Sequence, residues 1–145
     1  METVVVGVDG SSCSLEALGF AVAEARLRKA ALRVVTAWHV PPMAYSGGFA
    51  PVVHPKEFER NAEAIAEQAL SAIRDQTEGV EVERVTREGQ AAHVLLEEAR
   101  GAELLVVGSR GHGGFTGLLL GSVSQQVAHH APCPVVVVRE PGTTH

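Results

Sequence analysis

The chain has almost no lysine: Lys29 and Lys56 are the only two in 145 residues. Arginine brings the basic total to 12, against 17 Asp and Glu, for a formal charge of −5. No run of five basic residues occurs, and such a surface does not on average attract nucleic-acid phosphates. Aromatic residues are scarce too, with four Phe, one Tyr and one Trp, which leaves little for base-stacking platforms. Cys13 and Cys133 are the only cysteines, too far apart for a metal-ligand spacing and too few for a disulfide framework. No apolar run approaches the roughly 18 residues of a membrane helix. The opening METVVVGVDG has no basic region followed by an apolar segment of signal length. These absences predict a cytoplasmic protein with no nucleic-acid partner and no membrane partner, folded as one domain over residues 1–145.

Two kinds of segment alternate along the chain. Short valine-rich runs at 3–9, 32–40, 80–86, 103–109 and 134–138 read as strands. Longer segments between them carry helical spacing. Leu15, Leu18, Val22 and Ala25 share one face, as do Phe58, Ala62, Ile65, Ala69 and Ile73. Val94, Leu95 and Ala99 mark a third helix, and Leu120, Val123, Val127 and Ala131 a fourth. The order βαβαβαβαβ predicts an α/β fold, a doubly wound sheet of five mostly parallel strands with helices on both faces.

The strands differ in character. Residues 3–9 and 103–109 lack alternation, as strands buried on both sides do. The third run alternates, Val80 and Val82 against Glu81 and Glu83, and one wet face places it at an edge. Val135 to Val138 are wholly apolar yet last in order; at an edge they would present unpaired backbone groups. A homodimer through strand 134–138 is the predicted remedy. The connection 41–55 holds four of the seven prolines; it reads either as a lid or as a tolerated surface excursion.

Glycine, by contrast, is concentrated. Six of the 15 fall in the fourteen positions from Gly108 to Gly121. Gly108 ends a buried strand and Gly121-Ser122 begins a helix. Glycine admits positive φ and close approach of a ligand to the main chain. Consecutive amides in such a loop can form an anion nest. Ser122 sits at an N-cap or first-turn position, where unpaired N–H groups and the helix dipole add to it. A phosphate could be held there without lysine. The P-loop pattern is excluded, because it ends in Gly-Lys-Ser/Thr and here Gly121 precedes Ser122 directly, with Leu120 before it. The Rossmann G-x-G-x-x-G is excluded too, since Gly111 and Gly113 are followed by Thr116.

What remains is Gly108-x₂-Gly111-x₉-Gly121-Ser122. In this pattern the chain resembles the universal stress protein family, in its nucleotide-binding branch, whose signature is G-x₂-G-x₉-G-[S/T]. VVVGVDGS (4–11), TAWHV (36–40) and APCPVVVVR (131–139) resemble further family segments, so the likeness spans nearly the whole chain. The resemblance implies strand order 3-2-1-4-5, in agreement with the two edges inferred above. It places Asp9 and Gly108 at the carboxyl ends of adjacent strands, facing one crevice at the topological switch point. It further implies ATP as ligand. The triphosphate would run along Gly108, Gly111, Gly121 and Ser122, with Val123 continuing the wall. Asp9 would accept from a ribose hydroxyl or help hold Mg²⁺, which favours carboxylate and phosphate oxygens. Val40, Val8 and Val107 would line the adenine end.

Other residues carry weaker readings. Cys13 starts a helix, where a thiol pKa falls, but a small residue in a helix turn explains it as well. His129 and His130 close the fourth helix, which suits partial positive charge. Arg110 and His112 lie in the loop and either touch a phosphate or face water. His93 shows no partner. For function, a nucleotide-dependent regulatory or stress-response protein stands against a slow ATP-hydrolysing or nucleotidyl-transferring enzyme. Phosphoryl transfer needs a positioned metal and a group orienting the attacking water or acceptor; Asp9 is the one candidate ligand, with no second acid and no loop lysine beside it.

Overall fold

Val4, Val5 and Val6 have no solvent exposure, and the molecule is layered around them. The computed structural model describes residues 2–40, 54–111 and 120–140. The three valines belong to strand β1 (Thr3–Gly7). It is followed by helix α1 (Ser12–Arg28), β2 (Ala31–Trp38), α2 (Pro55–Ala72), a 3₁₀ turn (Arg74–Thr77), β3 (Val82–Glu88), α3 (Ala91–Glu98), β4 (Leu104–Gly108), α4 (Ser122–His130) and β5 (Val135–Val138). The sheet has order β3-β2-β1-β4-β5 and every neighbouring pair is parallel. The chain is thus the five-stranded α/β fold expected, with β3 and β5 at its edges.

Side chains alternate across β1, so each face of the sheet has its own core. Val4, Val6, Leu32, Val34, Leu104 and Val106 face α1, whose Ala17, Leu18, Ala21, Val22 and Ala25 complete one apolar layer, with Ile65, Ala69 and Leu70 of α2 packed against it. Val5, Val35, Leu105 and Val107 face α3 and α4 through Ala92, Val94, Leu95, Ala99 and Val127. Gly7 allows this second layer to close. A Cβ there would lie 2.9 Å from Leu95 Cδ1, well inside van der Waals contact.

α1 is defined at both ends. Ser11 caps it by accepting from the Ser14 amide, and Lys29 ends it in the left-handed region at φ 56°, its N–H reaching Ala25 O and Arg26 O. Lysine is an uncommon choice there, where glycine carries no Cβ penalty.

Several expected boundaries move. β1 ends at Gly7, and Val8 and Asp9 lie beyond it, although the Val8 amide still donates to Val35 O at 2.9 Å. β3 begins two residues later than the alternation suggested. Its pairing starts at Leu32↔Val82, while Val80 closes the preceding turn by donating to Thr77 O. Pro55, counted with the 41–55 connection, is the first residue of α2, where a missing N–H is tolerated. Residues 41–53 of that connection, and with them the lid expectation, lie outside the described residues. All four β5 valines are half-buried, alternately packed on the two cores. No described helix is long and apolar enough to cross a membrane.

Candidate functional site

The two central strands send their chains to opposite faces. After β1 the chain enters α1 on one side; after β4 it reaches α4 on the other. A cleft of about 380 Å³ opens between the two connections, at the carboxyl edge of the sheet. Its size lies within the roughly 300–1,000 Å³ usual for small-molecule sites.

One wall is the turn after β1. Gly10 adopts φ 88°, a conformation that favours glycine. The turn folds Asp9 back on α1, where its Oδ1 accepts from the Ser11 amide at 2.9 Å and from Ser11 Oγ at 2.5 Å. Ser11 Oγ in turn accepts from the Ser14 amide, and the Asp9 amide donates to Ser14 Oγ at 3.3 Å. The helix cap therefore orients the carboxylate. The other oxygen, Oδ2, lies against Gly111 so closely that a Cβ there would run into it.

The opposite wall is the start of α4. Its N-cap is Gly121, at φ −77° and ψ 173°, and no side chain caps the helix. The amides of its first turn belong to Ser122, Val123 and Ser124, all lining the cleft, so donors and the positive end of the dipole are directed there. The Gly121 amide donates to Ser109 O at 2.6 Å and so returns the chain to the end of β4 after the glycine-rich loop. Ser124 Oγ donates to the same carbonyl at 2.9 Å. Residues 112–119, including His112, lie outside the described residues.

The floor is apolar. Val35 and Ala37 of β2, Ala91 and Leu95 of α3, Val107 of β4 and Val8 line it, with Arg110 at the rim. The structure thus brings Val8, Asp9, Val107, Gly108, Gly111, Gly121, Ser122 and Val123 around one cavity. Val40 is not among the lining residues; it lies half-buried, two residues past the end of β2. Ala37, Ala91, Leu95, Ser14 and Ser124 were not anticipated. Leu95 reads as core by its spacing, and only its place at the carboxyl edge makes it lining.

The glycines act differently from expectation. None of Gly108, Gly111 and Gly121 adopts positive φ; among the described residues that conformation belongs to Gly10, Gly79, Gly89, Gly101 and Lys29. Close approach of other atoms of the chain marks Gly108 and Gly111, though not Gly121. A Cβ at Gly108 would lie 3.0 Å from the main-chain carbon and oxygen of Cys13. Cys13 itself is buried, its Sγ 3.4 Å from Ser109 Oγ and 3.3 Å from Val138 O. Cys133 is half-buried, and desolvation pushes its thiol pKa up. His93 does have a partner, contrary to the sequence reading: Glu97 Oε1 at 3.2 Å, one helical turn on. Hydrogen bonds from Arg87 hold the Glu97 pKa below its ordinary value. No described group of three or more His, Cys, Asp or Glu could enclose a metal.

Comparison with known proteins agrees with this architecture. The model of the universal stress protein family matches residues 1–139. A universal stress protein of Mycolicibacterium smegmatis is 41% identical over 138 residues, covering 94% of this chain and 45% of that relative. The chain spans about half the length of the curated relatives it matches. Among solved structures, a universal stress protein in complex with cAMP is 31% identical at TM-score 0.67, with 94% of this chain and 96% of that one covered. The universal stress protein from Archaeoglobus fulgidus in complex with dAMP is 26% identical at TM-score 0.70, with 95% and 98% covered.

Proposed function

Because the chain belongs to the universal stress protein family, we propose that it is an ATP-binding regulatory protein of the stress response, its phosphates held by main-chain amides in the cleft between β1 and β4. The observation that carries this reading is the start of α4. Its first-turn amides have no side-chain cap and line a cavity whose far end is apolar. Two solved relatives of this fold are complexes with the adenine nucleotides cAMP and dAMP, which supports an adenine nucleotide as the ligand class.

In the proposed complex Gly108, Gly111, Gly121 and Ser122 border the phosphates and Val123 continues the wall. Val8, Val107 and the apolar floor take the adenine, with Val40 at the mouth beyond β2. Magnesium fits the donor set as a phosphate-borne ion. One carboxylate, Asp9, lines the cleft, and Mg²⁺ commonly uses one or two carboxylates together with phosphate oxygens. When bound, it would offset phosphate charge. Asp9, held by Ser11, would fix the position of that ion or of a ribose hydroxyl. We place the protein in the cytoplasm, where two unpaired thiols suit a reducing compartment. We further propose a homodimer through β5, whose half-buried valines and edge position among the described strands suit pairing with a second copy.

Titration calorimetry of the full chain with ATP and Mg²⁺, alongside phosphate release, tests the reading. Saturable binding is expected, with release far below about one turnover per second, the lower end of ordinary enzymes. Release faster than that would establish the enzymatic alternative, and absence of binding would end the nucleotide reading.

A further inference from the structure

We propose that Ser109 ties the cleft to the β5 edge, so that nucleotide held by α4 keeps the last rung of the β4–β5 ladder closed. This rests on the nucleotide reading of the cleft and adds a regulated output to it.

Ser109 is 5% exposed and touches three elements at once. Its N–H donates to Val138 O at 2.8 Å, which makes it the terminal rung between β4 and β5. Its carbonyl accepts from the Gly121 amide at 2.6 Å and from Ser124 Oγ at 2.9 Å, so the start of α4 hangs from it. Its hydroxyl meets Cys13 Sγ at 3.4 Å, and that thiol also donates to Val138 O at 3.3 Å. Two residues beyond Val138, Glu140 Oε1 accepts from Ser12 Oγ at 2.5 Å. The end of β5 is therefore clipped to β4 by Ser109, the residue that also carries the start of α4, and to α1 by Cys13 and Ser12.

β5 is the element suited to open first. It is four residues long, lies at an edge, and none of its side chains is fully buried. Such short, half-exposed segments open locally at lower free energy than central strands. Breaking the Val138 rung frees the N–H side of Ser109, while the carbonyl of the same residue supports α4. A ligand that needs α4 in place binds only the closed form. Ligand then slows opening by the factor 1 + [L]/Kd, and by linkage whatever closes β5 favours nucleotide binding, by at most the reciprocal of the closed fraction. A second copy paired on β5 would have that effect.

Hydrogen–deuterium exchange on the full chain, with ATP and Mg²⁺ binding measured in parallel by calorimetry, decides the matter. At ten times Kd, full linkage slows exchange of residues 134–140 about elevenfold. Residues 82–88, at the opposite edge, should slow less than twofold. Cys13→Ala removes the thiol contacts to Val138 and Ser109. It should speed exchange of 134–140 several-fold without ATP, leave ATP affinity within about threefold because the closed form still dominates, and remain responsive to ATP. Cys13→Ser keeps a donor of similar size and should bring exchange to within about twofold of wild type; it also serves should the alanine variant fail to fold. Calorimetric binding with 134–140 unchanged, or slowed no more than 82–88, overturns the linkage and leaves the nucleotide reading standing. Unaltered exchange of 134–140 in Cys13→Ala removes Cys13 from it. Failure to bind ATP at all overturns both proposals together.

Discussion

Gly121→Ser should raise stability and lower nucleotide affinity in the same protein. Position 121 is the N-cap of α4, already extended at φ −77° and ψ 173°, a conformation serine adopts readily. There is room for it: a Cβ would lie 3.4 Å from Arg110 Cα and from Ser109 O, and 3.7 Å from the Gly111 amide. From that position a serine hydroxyl accepts from the second or third helical amide, Val123 or Ser124, and supplies the cap that α4 lacks. Serine exceeds glycine as an N-cap by a few tenths of a kcal/mol. Removing glycine's freedom from the unfolded chain adds about 0.4–1 kcal/mol. Together this is about 0.6–1.4 kcal/mol, or roughly 1–6 °C in Tm for a chain near this size.

The affinity effect has the opposite sign. The new hydroxyl takes a donor that the phosphate would use and places an oxygen beside it. A hydrogen bond to a charged acceptor contributes about 1.5–3 kcal/mol. Losing one weakens ATP binding by about ten- to a hundredfold. Scanning calorimetry without ligand and titration calorimetry with ATP and Mg²⁺ measure the two halves separately. A raised Tm with unchanged affinity would refute the claim that these amides grip the phosphates. A Tm lowered by more than about 2 °C would refute the N-cap geometry itself.

Two further substitutions test the frame around the cleft. In Gly108→Ala the added methyl meets the main chain of Cys13 at 3.0 Å. Backbone cannot rotate aside, so a loss of about 1–3 kcal/mol is expected; an unchanged thermal melt would show that α1 does not rest on the end of β4. Lys29→Gly relieves the left-handed C-cap of α1 at φ 56°. After allowing for glycine's larger unfolded-state entropy, about 0.5–1 kcal/mol of added stability should appear as a higher Tm, and a lower one would contradict the strain assigned to that cap.

The sheet was legible because its signals are local and redundant. Val4–Val6 and Leu104–Val107 read as buried strands from composition alone, and they are buried. Glu81 and Glu83 marked an edge. The two-residue shift of β3 escaped because Val80 continues the same alternation, yet it belongs to the turn that follows Arg74–Thr77. Register against Leu32, a contact nearly fifty residues away in sequence, sets the true start. The cleft was half legible. Asp9 and the glycine spacing announce themselves by residue type. Ala37, Ala91 and Leu95 do not, since a residue that lines a cavity and one that fills a core follow the same apolar pattern. His93 was read as solitary although Glu97, four residues on, is the pairing that helical geometry offers.

The glycines of the signature separate into different physical causes once the structure is considered. Gly108 is required by the protein's own packing, because helix α1 passes too close to admit a methyl group. Gly111 leaves room for the Asp9 carboxylate, so its smallness serves the placement of a charged group beside the cleft. At Gly121 neither φ nor the surrounding atoms exclude a side chain. A stability screen would therefore penalise changes at the first position and tolerate them at the last. If glycine at 121 has a necessity, it comes from outside the polypeptide, from something that must approach the bare start of α4. That makes position 121, rather than the more crowded glycines before it, the place where a ligand and a merely structural loop give opposite answers.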